Sequence, residues 1–225
     1  TLIEAWSTDV TLPEPATLLV TETLGVEPFE EDILGSVIDA RRRLLAPDAR
    51  LIPQTLRLQV QPLAVPYAER WASRVDQAAV EVWQERYGLD LGPLRMARRR
   101  TALHWPVDSQ VVASWAPLGP ATELVGIDLR SCASSSVRGH ANAIAVRAGT
   151  VDAVLVTFSV ALAEGIQLDH RPRPGEASNW DASVWFLPDG IDVLPGDRLS
   201  IAYHHGVAGS PDGLDCRPPA ADEPH

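Results

Sequence analysis

Two glutamates placed nine residues apart carry the strongest chemical signal in this sequence. Glu22 follows the apolar run Ala16–Val20, and Glu31 lies where a helical pattern opens, beyond a short loop that contains Gly25 and Pro28. This order predicts a buried strand, a loop and a helix, with one carboxylate at each end of the loop. Open α/β sheets bind ligands in the crevice at the carboxyl ends of their strands. The pair therefore predicts a site for a positively charged group.

Each glutamate also has a purely structural explanation. Glu22 can simply end a strand. Residues 28–46 show the apolar spacing of a helix, and Glu31, with Glu30 and Asp32, then falls in its first turn. Acidic side chains there, and Arg41 to Arg43 in the last turn, favour the helix dipole without any ligand. Neither glutamate alone requires a functional explanation.

The composition indicates a soluble, acidic protein. The formal net charge is −11, and every basic side chain other than histidine is arginine. Such a surface disfavours nonspecific nucleic-acid binding and suits basic partners, although solubility alone is the simpler explanation of the charge. No apolar stretch is long enough to span a membrane, and no signal peptide is visible. We therefore expect a cytoplasmic protein without a nucleic-acid or membrane partner.

The cysteines and the neighbouring histidines do not predict a metal site. Cys132 and Cys216 lie far apart, outside any C-x-x-C pattern, so we expect reduced, incidental thiols. His204 and His205 are adjacent, and neighbours on a strand point to opposite faces, so we do not expect them to share a metal ion.

The second part of the chain has the pattern of a β protein. Leu56, Leu58 and Val60 alternate with polar residues, as in a half-buried antiparallel strand, so the architecture changes near Pro53 from α/β to mostly β. Later short strands separated by turns predict a sandwich or a barrel. The local expectations are a short strand at 2–6, a polar loop at 163–177, a hairpin turn at 188–190 and a disordered tail at 207–225.

The double-glutamate segment resembles that of the protein arginine methyltransferase family. The family loop has the form S-E-x-x-G, with a second Glu nine residues after the first. Thr21 to Gly25 match it with Thr in place of Ser, and Glu31 has the required spacing. The resemblance continues through residues 37–48 (helix and turn), 51–53 (hinge), 83 and 87–90 (start of a dimerisation arm), and 179–187 and 193–197 (T-H-W loop and last strands).

The resemblance implies a Rossmann-like part followed by a β-barrel. Residues 1–53 would be the C-terminal part of a methyltransferase domain that uses S-adenosylmethionine. Residues 54–206 would form an antiparallel barrel with a helical dimerisation arm at 83–117, and the protein would be a homodimer. The implied activity is methyl transfer to a guanidino nitrogen of arginine in a protein substrate. Glu22 and Glu31 would be the catalytic pair that holds the guanidinium, with Trp180 and Asn179 beside the substrate.

Two departures from the family pattern bear on activity. Asn179 stands where the family has the His of its T-H-W loop. The family's Gly-rich loop and acidic residue for S-adenosylmethionine both precede the point where this chain begins. Only Ser7 and Thr8 would lie at the rim of the adenine site, with Thr8 in place of the usual Glu. We therefore expect a truncated chain that is inactive and binds no S-adenosylmethionine by itself.

Two alternatives remain open at this point. Besides an arginine methyltransferase, the chain could be a non-enzymatic binding or dimerisation module derived from that family, or a methyltransferase for another nucleophile. Glu22→Gln and Glu31→Gln distinguish the second from arginine methylation, because activity retained in both variants excludes the clamp. Trp180 also has a plain packing explanation in the barrel. The product, mono- or dimethylarginine, is not determined by these residues.

Overall fold

The computed structural model describes residues 2–73, 77–90, 93, 101–176 and 178–218, which form three sheets and three α-helices. The helices are α1 (Ile33–Arg43), α2 (Gln77–Tyr87) and α3 (Ser109–Ala113), and short 3₁₀ helices span Ser7–Asp9 and Tyr67–Ser73. The strands are β1 (Ala16–Val20), β2 (Leu45–Ile52), β3 (Thr55–Ala64), β4 (Leu103–Val107), β5 (Ala116–Pro117), β6 (Thr122–Asp128), β7 (Val137–Ile144), β8 (Gly149–Ala163), β9 (Ile166–Asp169), β10 (Ala182–Val193), β11 (Arg198–His205) and β12 (Gly213–Arg217).

The first part of the chain is a βαβ unit. β1 and β2 are parallel and are joined by α1, as the apolar run predicts. The expected burial of β1 on both faces is wrong, since Leu18 and Val20 are exposed. Within the described residues, β1 pairs with β2 alone, so its apolar side chains lack the covering layers that bury a strand inside a larger parallel sheet.

Helix α1 begins later than the sequence pattern predicts. Residues 28–31 form turns, and the helix starts at Ile33, with the Asp32 carboxylate accepting a hydrogen bond of 3.2 Å from the Gly35 amide. Glu31 therefore lies outside the helix, and the explanation of Glu31 as an acidic first-turn residue fails. The predicted basic last turn is confirmed, and the helix buries Ile33, Leu34, Val37 and Ala40.

The larger part of the chain is antiparallel β structure. The seven-stranded sheet has the order β4-β10-β8-β3-β5, with β6 also on β3 and β9 also on β8. A three-stranded sheet has the order β12-β11-β7. Leu56, Leu58 and Val60 are buried as their alternation predicts, and the change of architecture falls between Ile52 and Thr55. No sheet closes on itself in the residues described, so a closed barrel is not established.

Four local expectations are corrected. Residues 2–6 form no strand, since Leu2 and Trp6 are exposed and lack the neighbouring strand that would pair their backbone. The expected loop at 163–177 contains β9. Residues 188–190 do not turn a hairpin, because β10 continues through them with a register shift between Phe186 and Ile191.

The expected tail contains a strand. β12 pairs with β11, and Leu214 is 4% exposed. The Pro- and Asp-rich composition gives no strand signal. The segment is a strand because it pairs with β11. The last residues of the expected tail, 219–225, lie outside the described part of the chain, so the disorder expected there stays a prediction.

The expected arm at 83–117 overlaps the main sheet. Its second half contains β4 and β5, which pair with β10 and β3 respectively. Helix α2 confirms the helical pattern expected between residues 68 and 87. The extent of the arm and its role in dimerisation stay predictions, and its residues 91–92 and 94–100 lie outside the described part of the chain.

Candidate functional site

The segment between β1 and α1, residues 21–32, is called the acidic loop below because it contains Glu22, Glu27, Glu30 and Glu31. The loop packs against the β-sheets rather than extending into solvent. Leu24 and Phe29 are buried, and the Phe29 ring lies 6.5 Å from the Tyr203 ring and 5.1 Å from the His205 ring, both on β11. The apolar residues of the loop thereby fix the position of its carboxylates.

Trp180 fastens the middle of the acidic loop. Its indole N–H donates a hydrogen bond of 3.0 Å to the carbonyl of Leu24. The indole also packs edge-on against Phe158 and His170, with each pair of ring centres 5.8 Å apart. Both expectations for Trp180 are therefore compatible with its position, because the residue packs within the β region and also contacts the segment between Glu22 and Glu31.

Glu27 is a buried carboxylate within the acidic loop. It is 5% exposed, and it accepts hydrogen bonds from the hydroxyls of Tyr203 and Ser183, the latter at 3.2 Å. Burial raises the pKa of Glu27 from 4.5 to about 7, although both hydrogen bonds oppose the shift and the charge of Glu30 adds to it. Burial and the neighbouring Glu27 also raise the pKa of Tyr203, which keeps its hydroxyl a donor.

A chain of polar contacts leads from Glu27 to the surface. While Glu27 is ionised, the one hydroxyl hydrogen of Ser183 goes to Glu27, so the Ser183 oxygen accepts from Nε2–H of His104 at 3.1 Å. Nδ1 of His104 then faces Oε1 of Glu30 at 4.0 Å. Burial lowers the pKa of His104, and Glu30 partly opposes this. The ring is therefore neutral at neutral pH, with Nδ1 carrying a free lone pair.

Glu22 and Glu31 are both exposed, at the two ends of the acidic loop. Glu30, next to Glu31 in sequence, is exposed as well. A Cβ at Gly25 would stand 2.9 Å from Oε2 of Glu30, which shows how closely this side chain folds back over the first half of the loop. The loop thus offers several carboxylates to solvent on a fixed backbone, which is an arrangement that binds a cation through charge-assisted hydrogen bonds.

The other predicted site residues, Asn179, Ser7 and Thr8, are exposed. Asn179 is exposed and directly precedes Trp180. Ser7 and Thr8 lie in an exposed 3₁₀ turn, where the Ser7 carbonyl accepts a hydrogen bond of 3.0 Å from Arg43. Arg43 ends α1, whereas Glu31 precedes the start of α1, so this turn and the acidic loop are attached to opposite ends of the helix.

The described residues do not fit a complete site for S-adenosylmethionine. Gly25 is the only glycine before Gly35, and it lies against Glu30 in the acidic loop rather than in a turn that approaches a ligand. Ser7 and Thr8 lie in a turn without buried residues. A nucleoside needs a concave, largely apolar surface around it, which this exposed turn does not provide.

No metal site is found either. The described residues contain no group of three His, Cys, Asp or Glu side chains placed to hold a metal ion. His204 contacts the Pro211 carbonyl at 2.7 Å, while His205 lies 2.9 Å from an oxygen of Asp212. The cysteines are free thiols, as expected, and burial raises the pKa of Cys216 to about 12, so it does not ionise at neutral pH. Within the described residues, no helix meets the length and hydropathy of a membrane span.

Sequence reasoning missed Glu27, Ser183 and His104. A Glu between Val26 and Pro28 belongs to no helical or strand period, so nothing in the sequence indicated its burial. Its partners Ser183 and Tyr203 follow 156 and 176 residues later. Ser183 stands in the otherwise apolar run Ala182–Leu187, and this was the one available hint that its hydroxyl is buried.

Sequence comparison finds similarity to arginine methyltransferases, although no protein-family model matches the chain. Protein arginine N-methyltransferase PRMT10 of Oryza sativa subsp. japonica is 23% identical over 226 residues, covering 90% of this chain and 59% of the relative. PRMT10 of Arabidopsis thaliana is 23% identical over 229 residues, covering 89% and 58%. The chain therefore spans less than two thirds of the length of these curated relatives.

Two solved structures share the fold. One is Trypanosoma brucei PRMT1 in an enzyme–prozyme heterotetrameric complex with AdoHcy, with a TM-score of 0.75 and 19% identity over 99% of this chain and 70% of that one. The other is Arabidopsis thaliana protein arginine methyltransferase 10, with a TM-score of 0.69 and 19% identity over 96% of this chain and 73% of that one. These likenesses concern the fold, which includes the βαβ unit and the β-sheets that follow it.

Proposed function

Since the similarities in sequence and fold support the protein arginine methyltransferase family, we propose that this chain serves methyl transfer from S-adenosylmethionine to a guanidino nitrogen of a protein arginine. The acidic loop is the arginine-binding part, and Glu22 and Glu31 are its guanidinium ligands. One observation carries this proposal: both carboxylates are exposed at the ends of a loop whose middle is fixed by Trp180 and Glu27.

The chemistry of the substrate explains the need for two carboxylates. A guanidinium is planar, remains charged at all physiological pH values and presents five N–H donors in a fork. Carboxylates on two sides hold it by charge-assisted hydrogen bonds and orient one nitrogen towards a methyl donor. Correct orientation of two reactants supplies a large part of the rate in such reactions. Trp180 holds the loop that carries both ligands, and Asn179 lies next to it on the substrate side.

The methyl donor needs more of the protein than the described residues provide. Ser7 and Thr8 make at most the rim of its adenine site. In this proposal residues 1–53 are the C-terminal part of a Rossmann-like domain, which by itself is inactive. The β region that follows, from residue 54 to at least Arg217, is a barrel-like domain that presents the protein substrate. This domain ends later than residue 206, the end expected from the sequence, because β12 pairs with β11.

Dimerisation through the arm belongs to the same proposal. Val82, Trp83, Tyr87 and Leu89 are exposed apolar side chains on or just after α2. Exposed apolar side chains grouped on one segment are typical of an interaction surface. The Trypanosoma relative assembles as a heterotetramer of enzyme and prozyme, according to its description. A second copy of this chain is the proposed partner, through this arm.

A binding module without catalysis is the second candidate. Asn179 in place of the family's His favours it. In that case the acidic loop still binds arginine, but no methyl group is transferred. Transfer of a labelled methyl group to a bound arginine peptide by the natural protein distinguishes the two candidates, because a module that only binds leaves the peptide unlabelled.

The arginine site itself is tested with two variants and a matched control. An Arg- and Gly-rich peptide is titrated calorimetrically into the wild type, Glu22→Gln, Glu31→Gln and Glu164→Gln. Glu164 is an exposed glutamate in the turn between β8 and β9, so its substitution makes the same charge change elsewhere. We expect a loss of about tenfold or more for each of the first two variants, from a charged hydrogen bond of about 1.5–3 kcal/mol. Unchanged affinity in both excludes the clamp.

A further inference from the structure

A third glutamate of the acidic loop, Glu30, lies close to the proposed guanidinium ligands Glu22 and Glu31 in sequence, and its contacts bear on the same site. Glu30 is next to Glu31 in sequence, and its side chain is 51% exposed, so its carboxylate remains open to a ligand. The same carboxylate approaches Gly25, which is three residues after Glu22. Glu30 therefore reaches from the Glu31 end of the acidic loop back towards the Glu22 end.

The tautomer of His104 decides whether Glu30 is available. Nε2–H of His104 is used by Ser183, so Nδ1, which faces Glu30, has no hydrogen while the ring is neutral. A neutral ring in this tautomer cannot donate to Glu30, whose carboxylate then has no cationic partner among the described residues. A protonated ring carries a hydrogen on Nδ1 and forms an ion pair with Glu30.

We propose that Glu30 is a third carboxylate ligand of the substrate guanidinium, and that Glu27, Ser183 and His104 are positioning residues that keep it available. This proposal rests on the proposed function of the acidic loop. Glu27 accepts the hydroxyl hydrogen of Ser183, Ser183 fixes the tautomer of His104, and the lone pair of Nδ1 leaves the Glu30 carboxylate to the incoming cation. The chain joins the acidic loop, β10 and β4.

Protonation of His104 and binding of a guanidinium then compete for Glu30. The titratable groups around His104 are Glu30 and Glu27 of the acidic loop, with Tyr203 of β11 beyond Glu27, while β10 contributes the uncharged side chains of Ser183 and Trp185. Because burial lowers the pKa of His104, its protonation requires a lower pH than that of an ordinary histidine, and Glu27, whose pKa is raised to about 7, gains its own proton first. Arginine-peptide affinity should fall as the pH is lowered through the pKa of His104, and the bound peptide should lower that pKa further.

Titration of the wild-type chain with an Arg- and Gly-rich peptide, by calorimetry and by NMR of the histidine rings, tests this. At pH 7.5 we expect Glu30→Gln to weaken binding about two- to fivefold, the range of a partly exposed charge pair, and Glu164→Gln to leave it unchanged. The peptide should lower the pKa of His104 in the wild type and not in Glu30→Gln. Ser183→Ala should lose the Nε2–H tautomer of His104 and weaken binding, and Ser183→Thr, which keeps the hydroxyl, should restore both.

The outcomes distinguish failure of the role of Glu30 from failure of the proposed arginine site. If Glu22→Gln and Glu31→Gln weaken binding while Glu30→Gln behaves like Glu164→Gln, the arginine site stands and the role of Glu30 is overturned. An unchanged pKa of His104 in the presence of bound peptide overturns it as well. Failure of the wild type to bind the peptide overturns both the proposed function and this extension.

Discussion

The indole of Trp180 donates a hydrogen bond of 3.0 Å to the carbonyl of Leu24, across 156 residues of sequence. Trp180 belongs to the segment that leads into β10, and Leu24 belongs to the acidic loop that follows β1. The bond therefore joins the β region to the loop that carries Glu22 and Glu31. Two features therefore hold the loop that carries the proposed guanidinium ligands: this contact, and the βαβ unit in which the loop joins β1 to α1.

Replacing Trp180 with Phe tests that dependence. The variant keeps an aromatic ring but leaves the carbonyl of buried Leu24 without its donor, which should lower the free energy of unfolding by about 1–2 kcal/mol. Arginine-peptide affinity should fall with it. Urea denaturation and calorimetry measure the two effects. Trp105→Phe, on an exposed position of β4, is the matched control and should stay within about 0.5 kcal/mol of the wild type. Equal stability of the two variants would contradict the anchoring role.

Glu27 should make stability depend on pH in a direction that is unusual for a carboxylate. Its pKa is raised from 4.5 to about 7 in the folded protein, so between these values the folded state binds more protons than the unfolded state. The stabilisation from this proton is fully present below pH 4.5 and is lost as the pH rises towards 7. The total is about 3 kcal/mol, at roughly 1.4 kcal/mol per pKa unit.

The variant Glu27→Gln isolates this dependence. Its amide does not titrate, so the difference in unfolding free energy between wild type and variant should change by about 3 kcal/mol between pH 4.5 and pH 7, with the wild type losing relative stability as the pH rises. Urea denaturation at several pH values measures it. Glu164→Gln, which removes an exposed carboxylate from the turn between β8 and β9, is the control measured beside it. A constant difference for Glu27→Gln would mean that Glu27 is not protonated in the folded state.

The sequence predicted elements whose signal is local and missed those that depend on distant partners. The alternation of Leu56, Leu58 and Val60 needs only their own spacing, and the burial of all three is confirmed. The order of β1, acidic loop and α1 follows equally from local apolar runs. Glu27 could not be found in this way, because its burial requires Tyr203 and Ser183 from the far end of the chain. The exact start of α1 was missed because the turns at 28–31 contain helix-compatible residues.

Pairing also explains the two misread β segments. Residues 188–190 read as a turn from Pro, Asp and Gly, but the neighbouring β8 continues past them and holds the chain in β10 with a shifted register. Pairing also accounts for β12: residues Gly213–Arg217 are extended because they pair with the edge of β11. Local composition does not record whether such an edge exists.

Truncating Leu214 tests whether β12 belongs to the core. Leu214 is 4% exposed, and its replacement by Ala should cost about 2–4 kcal/mol of unfolding free energy, from lost burial and the cavity left behind. Leu194→Ala, at a residue 65% exposed in the turn after β10, is the control and should change stability by less than about 0.5 kcal/mol. Thermal or urea denaturation measures both. If the two variants are equally stable, residues 213–217 do not contribute to the core.

The proposed dimer depends on exposed aromatic residues of α2. Trp83 and Tyr87 are four residues apart, so they lie on the same face of the helix. The double variant Trp83→Ser and Tyr87→Ser should shift the chain towards monomer in sedimentation experiments. Tyr67→Ser removes another exposed aromatic ring outside α2 and should leave the association unchanged. A wild type that is monomeric at high concentration, or a double variant that still dimerises, would contradict an interface on this segment.

The central claim is that the acidic loop recognises a guanidinium, and the most direct measurement compares three peptides that differ in one side chain. An Arg- and Gly-rich peptide is titrated calorimetrically into the wild-type chain beside the same peptide with lysine and with citrulline in place of arginine. We expect arginine to bind about tenfold more tightly than lysine, whose ammonium has three donors but lacks the planar fork that pairs with a carboxylate through two hydrogen bonds. Citrulline, which is uncharged, should show no measurable binding. Equal affinity for the arginine and citrulline peptides would contradict the claim.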